Sequence, residues 1–418
     1  MFRKMVRLSR ATITDVLMAL ALVGASALVA ALIPSAGDYA HELAPAVSAV
    51  LGGDLHGFAS AAPVYGASAW PRLPFAAVAD ALGGGDLAVY RAGAFACLLA
   101  AAALAWWTER RMRVAGRPAV DRLAVVAVIL AAPVVLRTLR DGHPEDLLAT
   151  VLAIAATLAA TRGRVLPAGA ALGLAVTAKP WAVLAVLPVL LAAPGRRAAL
   201  GAAAVAPSTA SYLPILLLAQ QRTASDLSAV TSIGNLFHPP QLLWPLRETT
   251  RLGGGVTAYT SPAWVVRVAH PAIVLLGGAV AALWGLRRRA TAIQPDDALL
   301  ALAACLLLRC LLDPWNVAYY AVPPALVLVA WEALQRDGLP VGSLLLLALT
   351  WLSFVFLPRF LQGDALAAAY LVWAVPFTML VAVRLLHPAA LARWKGVLGA
   401  GAQPMSSATA ARTSASAT

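Results

Sequence analysis

ITDVLMALALVGASALVAALIPSAGDYAHE, residues 13–42, settles what kind of protein this is. From Ile13 to Ile33 the chain is almost wholly apolar, and about 20 such residues as a helix cross the hydrocarbon of a bilayer. Pro34 stops the run, and the polar GDYAHE follows at once. The basic MFRKMVRLSR in front imitates a signal peptide. The apolar run is long for that role and more runs follow it, so it reads as an uncleaved first membrane helix.

The same punctuation recurs along the chain. Apolar runs bounded by charges, proline or glycine fall near 13–33, 87–107, 120–137, 146–161, 165–179, 181–194, 198–219, 266–286, 297–312, 317–334, 340–357 and 366–384. The expected fold is therefore all-α: a polytopic transmembrane bundle of about twelve spans. Several middle runs are short for a full crossing and are expected to be tilted or broken.

Composition agrees. Of 418 residues, 61% are hydrophobic and 12% charged, against roughly 25% charged in soluble domains. Mean hydropathy is +0.79. The net charge of +13 raises nucleic acid as a partner, but no basic face alternates with aromatics, and the basic residues sit in short links between apolar runs. With the N-terminus in the cytoplasm, the inward segments hold 21 of the 32 lysines and arginines, as the positive-inside rule requires. Both termini then face the cytoplasm of a plasma (inner) membrane. Cys97, Cys305 and Cys310 lie in apolar runs with no metal spacing, so neither a disulfide framework nor a metal site is expected, and no cofactor.

Residues 1–398 read as one integral-membrane domain, and the Ala/Ser/Thr-rich 399–418 as a disordered cytoplasmic tail. Two outward links are long, about 34–86 and 220–265. Both carry aromatics and prolines, which favours order. WPRLPFAAVADAL at 70–82 has the look of an interfacial helix.

Polar residues gather at the outward ends of the spans, where ionisable groups are costly and hence functional candidates. GDYAHE supplies Asp38, His41 and Glu42. Partial desolvation is expected to raise the pKa and basicity of Asp38, although Gly-Asp also suits a helix cap. In RDGHPEDLL, 140–148, Pro144, Glu145 and Asp146 suit a helix start. Arg137, Arg140 and His143 before them make a candidate anion site. Lys179 in TAKPW and Arg309 lie on the outward side against the charge rule, where a phosphate would account for them. RCLLDPWNVAYY at 309–320 adds Asp313, Trp315, Asn316, Tyr319 and Tyr320, richer in hydrogen-bonding groups than an aromatic belt needs. GNLFHPPQLLWPL at 234–246 contributes His238, which an ordered loop would also explain. No GxGxxG, Walker, HExxH or GxSxG motif occurs. The convergence suits a phosphorylated lipid headgroup approached from outside.

GHPEDLLATVLAIAATLAATRGRVLPAGAALGLAVTAKPWAVLAVLPVLLA at 142–192 and LDPWNVAYYAVPPALVLVAWEAL at 312–334 resemble membrane proteins of the GT-C glycosyltransferase superfamily. The branch they most resemble is the family-87 mannosyltransferases of actinobacteria, which depend on polyprenol-phosphate-mannose. The resemblance covers most of residues 14–335. It places an acidic residue in the first outer loop, where Asp38 stands. The family's Tyr-Pro-Pro stretch is replaced here by VYGASAWPRLP, 64–74.

The resemblance implies an inverting transfer of a sugar, mannose by analogy, from a polyprenyl-phosphate donor to a lipid or glycan acceptor at the outer face. Asp38 would be the general base. Lys179, Arg140, His143 and Arg309 would stabilise the leaving phosphate, with Glu42, Glu145 and His238 as further binding residues. Asp313, Asn316 and Tyr319 would hold sugar hydroxyls. Membrane lipid is a partner and nucleic acid is not. A flippase for lipid-linked saccharides would use the same cations without a base, and a silent envelope-assembly scaffold would use neither.

Overall fold

Prolines and glycines dictate where the helices of this chain stop. The structure is a computed structural model that describes residues 10–218, 237–251, 257–289, 293–335 and 338–388. Residues 219–236 of the second long link and the whole 399–418 tail lie outside the described residues.

Helix α1 (Arg10–Ala31) leads into a link folded as four short helices, α2 (Tyr39–Glu42), α3 (Ala44–Leu51), α4 (Leu55–Ala61) and α5 (Leu73–Ala81). The stretch expected to be an interfacial helix is α5. Helix α6 (Asp86–Val114) is the longest. Helices α7 (Ala119–Ala131) and α8 (Pro133–Arg140) form one rod interrupted at Ala132. The ψ of Ala132 is 139°, the extended conformation a following proline imposes. After α9 (Glu145–Thr161) and α10 (Val165–Ala178), Pro180 acts the same way on Lys179, whose backbone is extended (φ −152°, ψ 126°). The chain returns through a 3-10 segment, Pro180–Ala185, and α11 (Val186–Leu191) to α12 (Arg197–Leu218).

The second link contains a small antiparallel hairpin, β1 (Glu248–Arg251) and β2 (Thr257–Thr260), with Glu248 opposite Thr260. No strand was expected there. Five helices complete the bundle: α13 (Ala263–Arg287), α14 (Pro295–Leu312), α15 (Val322–Gln335), α16 (Val341–Trp351) and α17 (Gly363–Leu386).

Each expected span coincides with helical chain. Seven helices are long and apolar enough to cross a membrane by length and composition, while Val165–Ala178 and Pro180–Leu191 are apolar but shorter. The figure of about twelve therefore requires α9, α10, α11, α14 and α15 to cross as well.

Helices α14 and α15 form the centre, with every residue from Ala298 to Leu307 buried. Helices α1 and α12 lie outermost and leave most side chains exposed. Small residues let α10 and α12 touch: a Cβ on Gly169 would lie 2.5 Å from that of Ala203, and one on Gly173 2.2 Å from the Ala204 carbonyl oxygen. This is the close backbone approach expected where apolar burial cannot drive association. Because α11 carries the chain back between them, α10 and α12 run in the same direction.

The charges divide between the two ends of the bundle. At one end Arg110 and Arg113 hold Asp15, while Arg113 and Arg122 hold Glu109. At the other end the turns after α1, α8, α10 and α14 converge.

Candidate functional site

Two glycines bring the first pair of turns together. Gly37 has φ +48° and Gly142 φ +98°, which favours residues without a Cβ. A Cβ on Gly37 would fall 2.3 Å from the Asp141 carbonyl carbon, and one on Gly142 2.5 Å from the Ala36 oxygen. The backbones meet closely enough for the Asp38 amide to donate to the Asp141 carbonyl at 2.9 Å. Ser35 Oγ donates to the Arg140 carbonyl at 3.3 Å.

This contact sets Asp38 against His143, with Oδ2 3.1 Å from Nε2. The Asp38 side chain is 60% exposed and that of His143 only 4%, so the pair joins an open carboxylate to a buried ring. His143 Nδ1 meets Glu145 Oε1 at 3.2 Å. Glu145 is fully enclosed and held by Lys179 Nζ at 2.9 Å and Arg72 Nη1 at 3.2 Å. Tyr319 packs on the His143 ring with centroids 4.6 Å apart.

Burial and the neighbouring Lys179 ammonium oppose a charged imidazole, but hydrogen bonds to Asp38 and Glu145 outweigh them and hold the His143 pKa up at about 9. The ring is then an imidazolium at neutral pH, donating from Nε2 to Asp38 and from Nδ1 to Glu145. Lys179 Nζ, 3.2 Å from Nδ1, is a second cation bridged to the ring by the Glu145 carboxylate. The expected rise in the Asp38 pKa is corrected. The hydrogen bond from His143 dominates over partial burial, and the carboxyl is held below its ordinary value.

Glu42 is exposed and accepts a hydrogen bond from the Tyr65 hydroxyl. The Tyr65 ring lies 4.0 Å from Lys179 Nζ, a cation–π contact. Arg140 stands exposed beside Gly37, and among the described residues its guanidinium has no ion pair. Arg137 is tied to Asp141 at 2.8 Å, so the three cations expected before α9 do not act together. One is paired, one is sandwiched between carboxylates, and Arg140 alone is open.

The rest of the expected residues form an adjoining group. Trp181 Nε1 donates to Asp146 Oδ1 at 2.5 Å. Arg309 lies 6.0 Å from the Trp181 ring and 3.5 Å from that of Tyr320. Its Nε is 3.5 Å from Asp313, which also meets His270 at 3.6 Å. The Asn316 amide donates to the Pro240 and Cys310 carbonyls at 2.6 and 2.7 Å, so that NH2 braces the turn. His238 sits on the same turn, Nδ1 3.3 Å from the Asn316 carbonyl oxygen.

Two sets of side chains have the spacing of cation ligands: Asp38, Glu42 and His143, and His143, Glu145 and Asp146, each with donor atoms within 4.8 Å of one another. In the second set the cation on Glu145 is already the lysine ammonium.

Sequence reading passed over Arg72, Trp181 and His270 as site residues. Arg72 carried a usable signal, since it is the lone cation in the apolar stretch 70–79, the same anomaly that singled out Lys179.

No curated protein sequence matches the chain. A family model does, over residues 68–314, a span that includes Arg72, Arg140, His143, Glu145, Lys179, His238, Arg309 and Asp313, and stops short of Asp38, Asn316 and Tyr319. That span is more than half of the chain, the matching model is glycosyltransferase family 87, and this membrane-helical protein belongs to that family of glycosyltransferases.

Proposed function

We propose that the protein transfers a sugar, mannose by family resemblance, with inversion, from a polyprenyl-phosphate donor to a lipid or glycan acceptor at the outer face of the plasma membrane, with both termini cytoplasmic. The observation that carries the reading is Asp38, an open carboxylate hydrogen-bonded to the buried His143 at the end of an apolar helix bundle.

Asp38 is the general base. As the acceptor oxygen bonds to the anomeric carbon, its proton passes to Asp38, and the carbon–phosphate oxygen bond breaks with its electron pair leaving on the polyprenyl phosphate. A lowered pKa keeps Asp38 ionised at neutral pH, and His143 fixes its direction. Negative charge grows on the departing phosphate, and cations already in place stabilise it without reorganising. Arg140 is the open one, with Lys179 and Arg309 behind it. Glu42, His238, Asp313, Asn316 and Tyr319 line or brace the sugar-binding side.

The test is transfer of radiolabelled mannose from polyprenyl-phosphate-mannose to membrane lipids, with wild type and Asp38→Asn. The variant should lose about 100-fold or more while keeping its thermal stability. Full activity in a folded Asp38→Asn protein would remove the base from the mechanism.

A further inference from the structure

The end of the bundle opposite Asp38 holds charges that the transfer reaction does not use. There Arg110, Arg113 and Arg122 are spent on Asp15 and Glu109. Arg111, Arg162, Arg164, Arg196 and Arg197 are all exposed, and among the described residues none of them meets a carboxylate.

These arginines form a group. Arg196 reaches across to the turn between α9 and α10 and donates from Nη1 to the Gly163 carbonyl at 3.1 Å. That bond puts Arg196 and Arg197 beside Arg162 and Arg164. Partial burial and repulsion from Arg111 and Arg164 hold the Arg162 guanidinium below its ordinary value, which brings Arg111 into the same field. Like charges so placed repel unless an anion lies among them. The backbone adds to the field. Because α10 and α12 run parallel, their amino ends, at Val165 and Arg197, open side by side on this face, and both favour negative charge.

We infer that this cluster binds the phosphate of an anionic phospholipid headgroup, in the leaflet opposite the sugar-transfer site. Guanidinium groups bind phosphate oxygens in pairs, and basic pockets between membrane helices suit such headgroups. A lipid fits better than free phosphate because the arginines flank α12, whose apolar residues Val205, Leu213 and Leu217 are exposed along its length and would lie along the acyl chains.

The experiment uses the full chain reconstituted in nanodiscs of phosphatidylcholine with a minor share of labelled phosphatidylglycerol, and reads the lipid retained on detergent extraction by native mass spectrometry. Three proteins are compared: wild type, Arg162→Gln/Arg164→Gln/Arg196→Gln, and a charge-matched control, Arg267→Gln/Arg289→Gln/Arg359→Gln, whose three arginines are exposed elsewhere. Thermal unfolding confirms that each is folded. The cluster variant should retain phosphatidylglycerol on the order of 100-fold more weakly, and the control should match wild type. Equal loss in both variants would reduce the effect to net charge and overturn the site, as would retention unchanged in the cluster variant. Displacement of the lipid by millimolar inorganic phosphate would overturn the lipid as the ligand and leave a simple phosphate site.

Discussion

Replacing Gly142 with alanine tests whether the docked turns build the site. At φ +98° an L-residue costs about 1–2 kcal/mol. Its new Cβ would also stand 2.5 Å from both the Ala36 oxygen and the Tyr39 nitrogen, and 2.7 Å from the Asp38 nitrogen. All three are backbone atoms, so no side chain can swing away, and the turns must separate by roughly 1 Å to reach ordinary contact. The separation strains the Asp38-to-Asp141 hydrogen bond, a further ~1 kcal/mol, for a total of ~2–3 kcal/mol. It also draws Asp38 away from His143, and a 1 Å misplacement costs about 100-fold in rate. Gly53→Ala is the control, since Gly53 has φ +84° and nothing within 4 Å of a new Cβ, which leaves only the conformational cost. Sugar transfer and thermal unfolding in detergent would be measured for both. Gly142→Ala should be less stable than Gly53→Ala and far less active. Equal behaviour of the two variants would refute the idea that the turn contact positions Asp38.

Other expectations follow from the buried charges. Glu145→Gln leaves Arg72, Lys179 and His143 enclosed without their shared anion, and should lower stability by about 3–5 kcal/mol, read by thermal unfolding. His143, with its pKa raised to about 9 in the fold against about 6.5 unfolded, contributes stability that is full below pH 6.5 and lost as pH rises through 9, on the order of 3 kcal/mol. His143→Asn should flatten that part of the pH–stability curve. Glu332 accepts from the Gly342 and Ser343 amides at 2.7 and 3.1 Å and from the Ser343 hydroxyl, capping α16. Glu332→Ala should cost about 2–3 kcal/mol without altering sugar transfer at saturating donor.

The helical architecture could be read from the chain because its cause is local. A run such as Ile13–Ile33 has one stable state in hydrocarbon, and Pro133 and Pro180 break helices through neighbouring sterics. The polar ends of the spans were legible for a related reason, since Asp38, Lys179 and Arg309 are costly where they stand. What joins them was not legible. The Asp38–His143 contact spans 105 residues and depends on two glycines whose φ angles no pattern reveals. The sign of the Asp38 pKa shift went wrong on this account, because position suggested desolvation and only the fold supplies the imidazole. Arg72 and Glu145 lie 73 residues apart, so neither hinted at the other. The two short strands at 248–251 and 257–260 were hidden because their residues show no alternation strong enough to stand out from loop.

The enclosed set of Arg72, Glu145, Lys179 and His143 also constrains how this protein can change by descent. Loss of Glu145 leaves three enclosed cations without the carboxylate they share. Viable changes are therefore expected to arrive in matched pairs, Arg72 with Glu145 or Glu145 with Lys179, and related chains should vary at these positions jointly or not at all. Arg140, open to solvent and without an ion pair among the described residues, carries no such tie. Its permanence or loss among relatives would report on selection for what that open cation binds.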